Sequence, residues 1–174
     1  DDAPGNSTIR TQLRVLERKG HVKHEEEGLR FVVGATPAIE GAVGQVYMMK
    51  QSEKHSGPHS DWFYDVNLSG GGVLMDMGCH GLAWFRWMLG GNPKILSVYA
   101  TMGTHLHKGR TKGEDNVITI VEFENGITGV CENSWAKHGG MDDRVEVYGT
   151  GGVSYADLFM GNAAVTYSEK GYGY

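Results

Sequence analysis

Three consecutive glycines run into a long apolar segment, and this feature constrains the fold more than any other in the chain. Gly70–Gly72 precede an apolar series that extends from Val73 to Leu89, and a Gly-Gly-Asn-Pro sequence ends it. The length corresponds to about five turns of helix. Because large apolar side chains cover nearly every direction around that helix, we expect it to be largely buried in the core.

Two ionisable residues interrupt this apolar segment. Asp76 and His80 are four positions apart, which predicts that their side chains lie on one face of the helix and within reach of each other. One interpretation is a buried hydrogen-bonded pair that fixes the helix; the other is a histidine acid/base whose second nitrogen is held by the carboxylate. Spacing alone favours the first interpretation. No H-E-x-x-H pattern accompanies the pair, so no metal site is predicted.

The rest of the chain predicts an α+β fold. A strand over residues 45–54 precedes the helix, and four or five strand-like runs follow it, with Asn125-Gly126 as a hairpin turn between two of them. The pattern indicates a mainly antiparallel open sheet, a meander with helices on one face, preceded by a helix plus β-hairpin. A sheet covered on one face only exposes apolar surface on the other, which predicts a homo-oligomer formed through that face.

A polar, glycine-rich stretch from Lys54 to Gly72 is interpreted as one long loop. Its aromatic residues argue against disorder, and loops of this length in compact domains are commonly functional. His55, His59 and Asp61 form an H-x-x-x-H-x-D pattern, which we interpret as a substrate-facing surface rather than a metal site.

Composition excludes several function classes. The formal net charge of −5 argues against nucleic-acid binding by the chain as a whole. No apolar run reaches the ~18 residues of a membrane span, and the N-terminus lacks the order of a signal peptide. Cys79 and Cys131 are too few for a disulfide framework and fit a reducing compartment, so we expect a cytoplasmic protein.

Residues 1–36 form a separate unit with a resemblance of its own. The run STIRTQLRVLERKGHVKHEEEGLRFVV resembles the second half of the winged-helix domain in the penicillinase-repressor family. The resemblance implies a helix that enters the DNA major groove, with contacts from Ser7, Thr8, Arg10 and Arg14. The supporting helices of that domain are absent, so DNA binding by a transcriptional-regulator fragment is the alternative hypothesis, and we expect no nucleic-acid partner.

A dinucleotide-binding fingerprint is missing from the sequence. The segment from Gly149 begins like G-x-G-x-x-G, but Ser154 occupies the last position and a strand is predicted to follow. Gly70–Gly72 fails the pattern as well, since Met75 stands where the third glycine belongs. We therefore expect the chain alone to bind no NAD in the Rossmann manner.

Residues 37–174 carry the more specific resemblance. The segments EGAVGQVYMMK, HSGPHSDWF, SGGGVLMDMGCHGLAWFRWMLGGNP, EDNVITIVEFENGITGVCENSW and VEVYGTGGVSYAD resemble, in this order, the C-terminal domain of the Gfo/Idh/MocA family. That family comprises NAD(P)-dependent sugar and polyol dehydrogenases. The resemblance implies a substrate-binding and oligomerisation domain with a sugar or polyol as its small-molecule partner, and it makes Asp76 and His80 catalytic.

The mechanism that this resemblance implies divides the site between two domains. His80 takes a proton from a substrate hydroxyl as hydride leaves for NAD or NADP, and Asp76 orients the imidazole. His59, Trp62 and Asp65 line the sugar site. The family's Rossmann domain and its E-K-P lysine are not in this sequence, and the domain stops short of the family's last helices, so we expect the chain alone to be inactive.

Overall fold

A computed structural model describes residues 24–27, 30–33, 41–90, 93–159, 164–169 and 171–173. The described residues form ten strands in two sheets. The smaller sheet is an antiparallel pair of β1 (His24–Glu27) and β2 (Arg30–Val33), which agrees with the predicted β-hairpin. The predicted N-terminal helix, with the candidate DNA contacts Ser7, Thr8, Arg10 and Arg14, lies outside the described residues.

The larger sheet has eight strands in the order β10-β9-β8-β7-β3-β6-β5-β4. Its strands are β3 (Val46–Lys54), β4 (Ile95–Gly103), β5 (Asn116–Phe123), β6 (Thr128–Ser134), β7 (Asp142–Gly149), β8 (Gly152–Asp157), β9 (Ala164–Ser168) and β10 (Gly171–Gly173). All neighbours are antiparallel except β3 and β6, which are parallel. The α+β class with a mainly antiparallel open sheet is therefore confirmed.

The strand order corrects one detail of the prediction. A simple meander would pair β6 with β7, but β3 lies between them and hydrogen-bonds to both. This central position places β3, the strand that precedes the long helix, directly beneath that helix in the middle of the sheet.

The long helix begins with a wider turn. Residues Leu74–Gly78 form a π-helical turn, and α2 (Cys79–Met88) continues from it as an ordinary α-helix. The segment predicted to be one long loop also contains helical turns, a 3₁₀ turn at Asp61–Tyr64 and the single-turn helix α1 (Val66–Ser69). Their ends are closed by local hydrogen bonds, such as the Asp65 side chain accepting from the Asn67 backbone N–H at 3.0 Å.

Two of the three glycines are required by the backbone. Gly70 ends α1 with a φ of 79°, in the left-handed region that favours glycine. At Gly72 a Cβ would lie 2.1 Å from the carbonyl oxygen of Glu114, so only glycine permits this approach. The approach aligns the helix start, because Val73 N–H donates to the Glu114 carbonyl and Leu74 N–H donates to the Glu114 side chain, both at 2.9 Å.

The core lies between the helices and one face of the sheet. Its larger cluster packs α2 against the central strands, and a smaller one surrounds Trp135. The fully buried members of both clusters include Met49, Phe85, Val121, Phe123, Val73, Met77, Val117 and Trp135. The helix prediction is confirmed, since its apolar residues supply much of this core.

The opposite face of the sheet is open to solvent. Along β5, Val117, Val121 and Phe123 are buried while the alternate residues Ile118 and Ile120 are exposed. The centre of the open face is charged, because Lys50 and Lys54 both pair with Glu132 there. The exposed apolar surface is therefore concentrated toward the β4–β5 edge rather than spread over the whole face.

Within the described part of the chain, every helix is too short or too polar to cross a lipid bilayer.

Candidate active site

His80 lies on the first turn of α2 with its ring directed at the sheet. Its Nδ1 lies 2.8 Å from Oε2 of Glu53, a residue near the end of β3. Glu53 is only 5% exposed, whereas His80 remains partly accessible. Because a carboxylate only accepts hydrogen bonds, Nδ1 carries the hydrogen and Nε2 is left for other partners.

A row of buried amides holds the Glu53 carboxylate. Gln51 Nε2 donates to Glu53 Oε2 at 3.4 Å, and Asn133 Nδ2 donates to Gln51 Oε1 at 3.2 Å. These residues belong to the core-facing sides of the parallel pair β3 and β6. The sheet thus presents a hydrogen-bonded polar row to His80 in an otherwise apolar core.

This environment favours the protonated imidazole. The adjacent Cys79 side chain and the Glu53 carboxylate bonded to Nδ1 raise the pKa of His80 from 6.5 to about 10, while partial burial opposes the change. His80 therefore carries a proton at neutral pH, and it can donate that proton from Nε2 to a substrate oxygen within hydrogen-bond distance.

Asp76 does not hold His80, which corrects the predicted pairing. Asp76 Oδ2 accepts a hydrogen bond from the indole N–H of Trp135 at 2.9 Å, and His80 uses Glu53 instead. The physical reason is the π turn: its extra residue per turn changes the side-chain direction that a regular i, i+4 spacing would give. Asp76 nevertheless stays near the site: burial lowers the pKa of His55, and the charge of Asp76 is among the effects that oppose this lowering.

The predicted substrate residues lie in the segment that follows β3. His59 is exposed and its ring lies 4.7 Å from that of His55, centroid to centroid. Trp62 is 47% exposed and stacks on Phe63 at 3.9 Å. Asp65 is exposed and caps α1. A substrate role for these three residues stays a prediction.

Tyr64 connects this segment to the catalytic candidates. Its ring packs edge-on against Trp135 at 5.9 Å, the same residue that binds Asp76. The Arg110 guanidinium lies over the Tyr64 ring at 4.0 Å and also pairs with Asp61 at 3.0 Å. The loop is therefore anchored beside Asp76 through an aromatic contact and a cation–π contact.

Glu53 is the functional candidate that sequence reasoning missed. The sequence of β3 contained a signal for it. Met49, Gln51 and Glu53 are every second residue of the strand and therefore point to the same face as the buried Met49 side chain, which places a carboxylate on the core side. A carboxylate on a buried strand face requires a partner, and the nearest histidine-bearing helix supplies it.

The glycine-rich segment that partly matches a dinucleotide fingerprint has a packing role in the structure. The Gly149–Gly152 segment is the tight turn between β7 and β8, where a Cβ at Gly149 or Gly152 would clash with backbone oxygens about 2 Å away. A strand follows it, so these glycines serve sheet packing and form no phosphate cradle. In the same described ranges, no three His, Cys, Asp or Glu side chains gather as metal ligands would.

Comparison with known proteins gives a consistent match over the larger unit. Residues 38–154 match the family model of the GFO/IDH/MocA C-terminal domain. The myo-inositol 2-dehydrogenase of Thermotoga maritima is 24% identical over 135 residues, 77% of this chain and 40% of that protein. The inositol 2-dehydrogenase of Rhizobium meliloti is 31% identical over 121 residues, 68% of this chain and 35% of that protein.

A solved structure supports the same match in three dimensions. GenD2 from gentamicin A biosynthesis, determined in complex with NAD, superposes with a TM-score of 0.66 at 34% identity. The superposition covers 78% of this chain and 41% of that one. The chain thus spans about 40% or less of the length of these two curated relatives.

Proposed function

The chain belongs to the GFO/IDH/MocA family, and from that premise we propose that it supplies the substrate-binding and proton-transferring part of an NAD(P)-dependent sugar or polyol dehydrogenase. The observation that carries the proposal is the geometry of His80. One ring nitrogen is held by a buried carboxylate and the other is left for a substrate oxygen, beside Asp76 in the G-G-G-x-L-x-D-x-G-x-H segment.

In this reaction class, a bound nicotinamide cofactor would supply the chemistry of hydride transfer at the substrate carbon, and a protein group exchanges a proton with the oxygen on that carbon. The described residues account for the proton. A protonated His80 donates from Nε2 to a carbonyl oxygen in the reducing direction, and a neutral His80 accepts the hydroxyl proton in the oxidising direction. Asp76, fixed by Trp135, offers a carboxylate to a neighbouring substrate hydroxyl.

The loop after β3 supplies an aromatic side chain and polar side chains to the proposed substrate site. Trp62 presents an exposed ring face, of the kind that packs against the apolar side of a sugar, and His59 and Asp65 offer exposed polar groups for its hydroxyls. The relatives' names concern inositol, a polyhydroxylated ring, which agrees with this chemistry. The free thiols Cys79 and Cys131 agree with the expected cytoplasmic location.

We further propose that the open face of the large sheet joins copies of the chain. Tyr99, Ile118 and Ile120 are exposed near the β4–β5 edge of that face. Lys50 and Glu132 at its centre provide charges that a symmetric partner can complement.

The test joins this chain to a dinucleotide-binding domain from a family relative and measures NAD(P)H formation with a panel of polyols and aldoses. We expect turnover with at least one polyhydroxylated ring, and a loss of about 100-fold or more in kcat for His80→Asn. His138→Asn, at an exposed histidine, is the matched control and should keep full activity. Absence of turnover across the panel, or an active His80→Asn variant, would contradict the proposal.

A further inference from the structure

We propose that Glu53 is the positioning residue of the site: it fixes the hydrogen of His80 on Nδ1 and thereby assigns proton exchange with the substrate to Nε2. The inference deepens the proposed function and rests on it. It replaces Asp76 with Glu53 as the group that orients the imidazole.

The contacts assign the two carboxylates to different partners. Glu53 Oε2 lies 2.8 Å from His80 Nδ1, whereas Asp76 Oδ2 is engaged by Trp135 Nε1 at 2.9 Å. A carboxylate bound to one imidazole nitrogen selects the tautomer and the ring orientation, as neighbouring carboxylates do for metal-bound and catalytic histidines. Glu53 meets that description, because it reaches His80 from the sheet side and bonds the ring at Nδ1, not at Nε2.

Glu53 is itself rigidly held. It is almost completely buried, and Gln51 and Asn133 continue its hydrogen bonding along the strands. The helix lies close to this row because residue 81 is glycine. A Cβ there would lie 2.4 Å from Cys131 Sγ and 2.8 Å from Gln51 Oε1. The close packing at Gly81, one residue after His80, sets the distance between the imidazole and Glu53.

Several other ionisable groups surround His80 and bear on its proton. Cys79 precedes it on the helix, Asp76 lies in the turn before, and His55 follows the strand that carries Glu53. Asp143 is buried on β7 directly opposite Glu53 in the strand pairing. Glu53 differs from Asp76 in that it is bonded to the His80 ring, so the two carboxylates make separable predictions.

The first experiment observes His80 directly in the full chain by long-range ¹H–¹⁵N NMR with ¹⁵N-labelled histidine, and His80→Asn assigns the signal. In the wild type we expect a doubly protonated ring at pH 8. In Glu53→Gln, which keeps the side-chain shape but removes the charge, the pKa should fall, so that the neutral fraction of the ring at pH 8 rises about tenfold or more over the wild type.

Matched variants separate the neighbours. Asp76→Asn should leave the His80 ring protonated at pH 8, because its structural partner is Trp135. Cys79→Ala measures the contribution of the adjacent sulfur, and Glu53→Asp retains the charge on a shorter side chain and should restore protonation in part. A neutral wild-type ring with hydrogen on Nε2, or a ring insensitive to Glu53→Gln but altered by Asp76→Asn, would overturn the inference. If Glu53→Gln does not fold, the wild-type spectrum decides alone.

The second experiment uses the chain joined to a dinucleotide-binding domain. Glu53→Gln should move the pH profile of kcat/KM for oxidation toward lower pH and reduce kcat about 10-fold or more with little change in KM. A purely structural role would leave the pH profile where it is. The NMR result does not depend on turnover, so an inactive enzyme with the expected spectrum refutes the proposed function, whereas an active enzyme with an unshifted profile refutes only the role of Glu53.

Discussion

At the scale of single residues, the site depends on the hydrogen bond between His80 on α2 and Glu53 on β3. The bond between His80 and Glu53 joins residues 27 positions apart, so no local spacing reveals it. The raised pKa of His80 also means that its protonation stabilises the fold, because the folded state binds that proton more tightly than the unfolded chain does. Function and pH-dependent stability are therefore linked through the same two side chains.

The sign of this linkage gives a stability prediction. The folded pKa of His80, about 10, exceeds its ordinary value of 6.5. Its stabilisation is thus complete below pH 6.5 and is lost as pH rises through 10. In urea unfolding, we expect Glu53→Gln to be less stable than the wild type by about 1.5 to 3 kcal/mol at pH 6, with the difference shrinking toward pH 10. A difference that stays constant over this range would show that the pair contributes no proton-linked stability.

At the scale of elements, periodicity predicted the long helix but not its first turn. The apolar pattern from Val73 to Leu89 is compatible with a regular α-helix and also with a helix whose first turn is a π turn, since the two helices bury the same residues. The helical turns around Asp65 were missed for a related reason: each is four residues long, which is too short to show a helical repeat, and only the second has a side-chain cap, from Asp65. The side-chain directions of Asp76 and His80 follow from this unpredicted geometry.

Gly72 is expected to be irreplaceable at the start of this helix. Gly72→Ala would place a Cβ 2.1 Å from the Glu114 backbone oxygen, and the backbone would have to move and weaken the two bonds that align the turn. We expect a loss of about 3 kcal/mol in the free energy of unfolding, measured by chemical denaturation. Gly109→Ala is the matched control, because a Cβ there meets nothing within 4 Å. Equal stabilities of the two variants would contradict this account of the third glycine.

At the scale of the whole molecule, the sequence predicted the fold class and the one-sided burial, whereas the strand order required the structure. Strand β3 enters the centre of the sheet between β6 and β7, and pairing across such sequence distances leaves no local signature. That insertion is what brings Glu53 under the helix. The open face also differs from the expected apolar surface, since its centre carries ion pairs and its apolar residues gather at the β4–β5 edge.

The proposed oligomer makes this edge testable. Ile120 is 36% exposed on β5 beside Tyr99 of β4, so Ile120→Lys would bury an unpaired charge in an interface formed there. We expect the wild-type chain to sediment as an oligomer at micromolar concentration and Ile120→Lys to weaken association by 100-fold or more, about 3 kcal/mol. Leu68→Lys, an equally drastic change on α1 away from the sheet, should leave the oligomer intact. A monomeric wild type, or equal effects of the two variants, would exclude the open sheet face as the contact between copies.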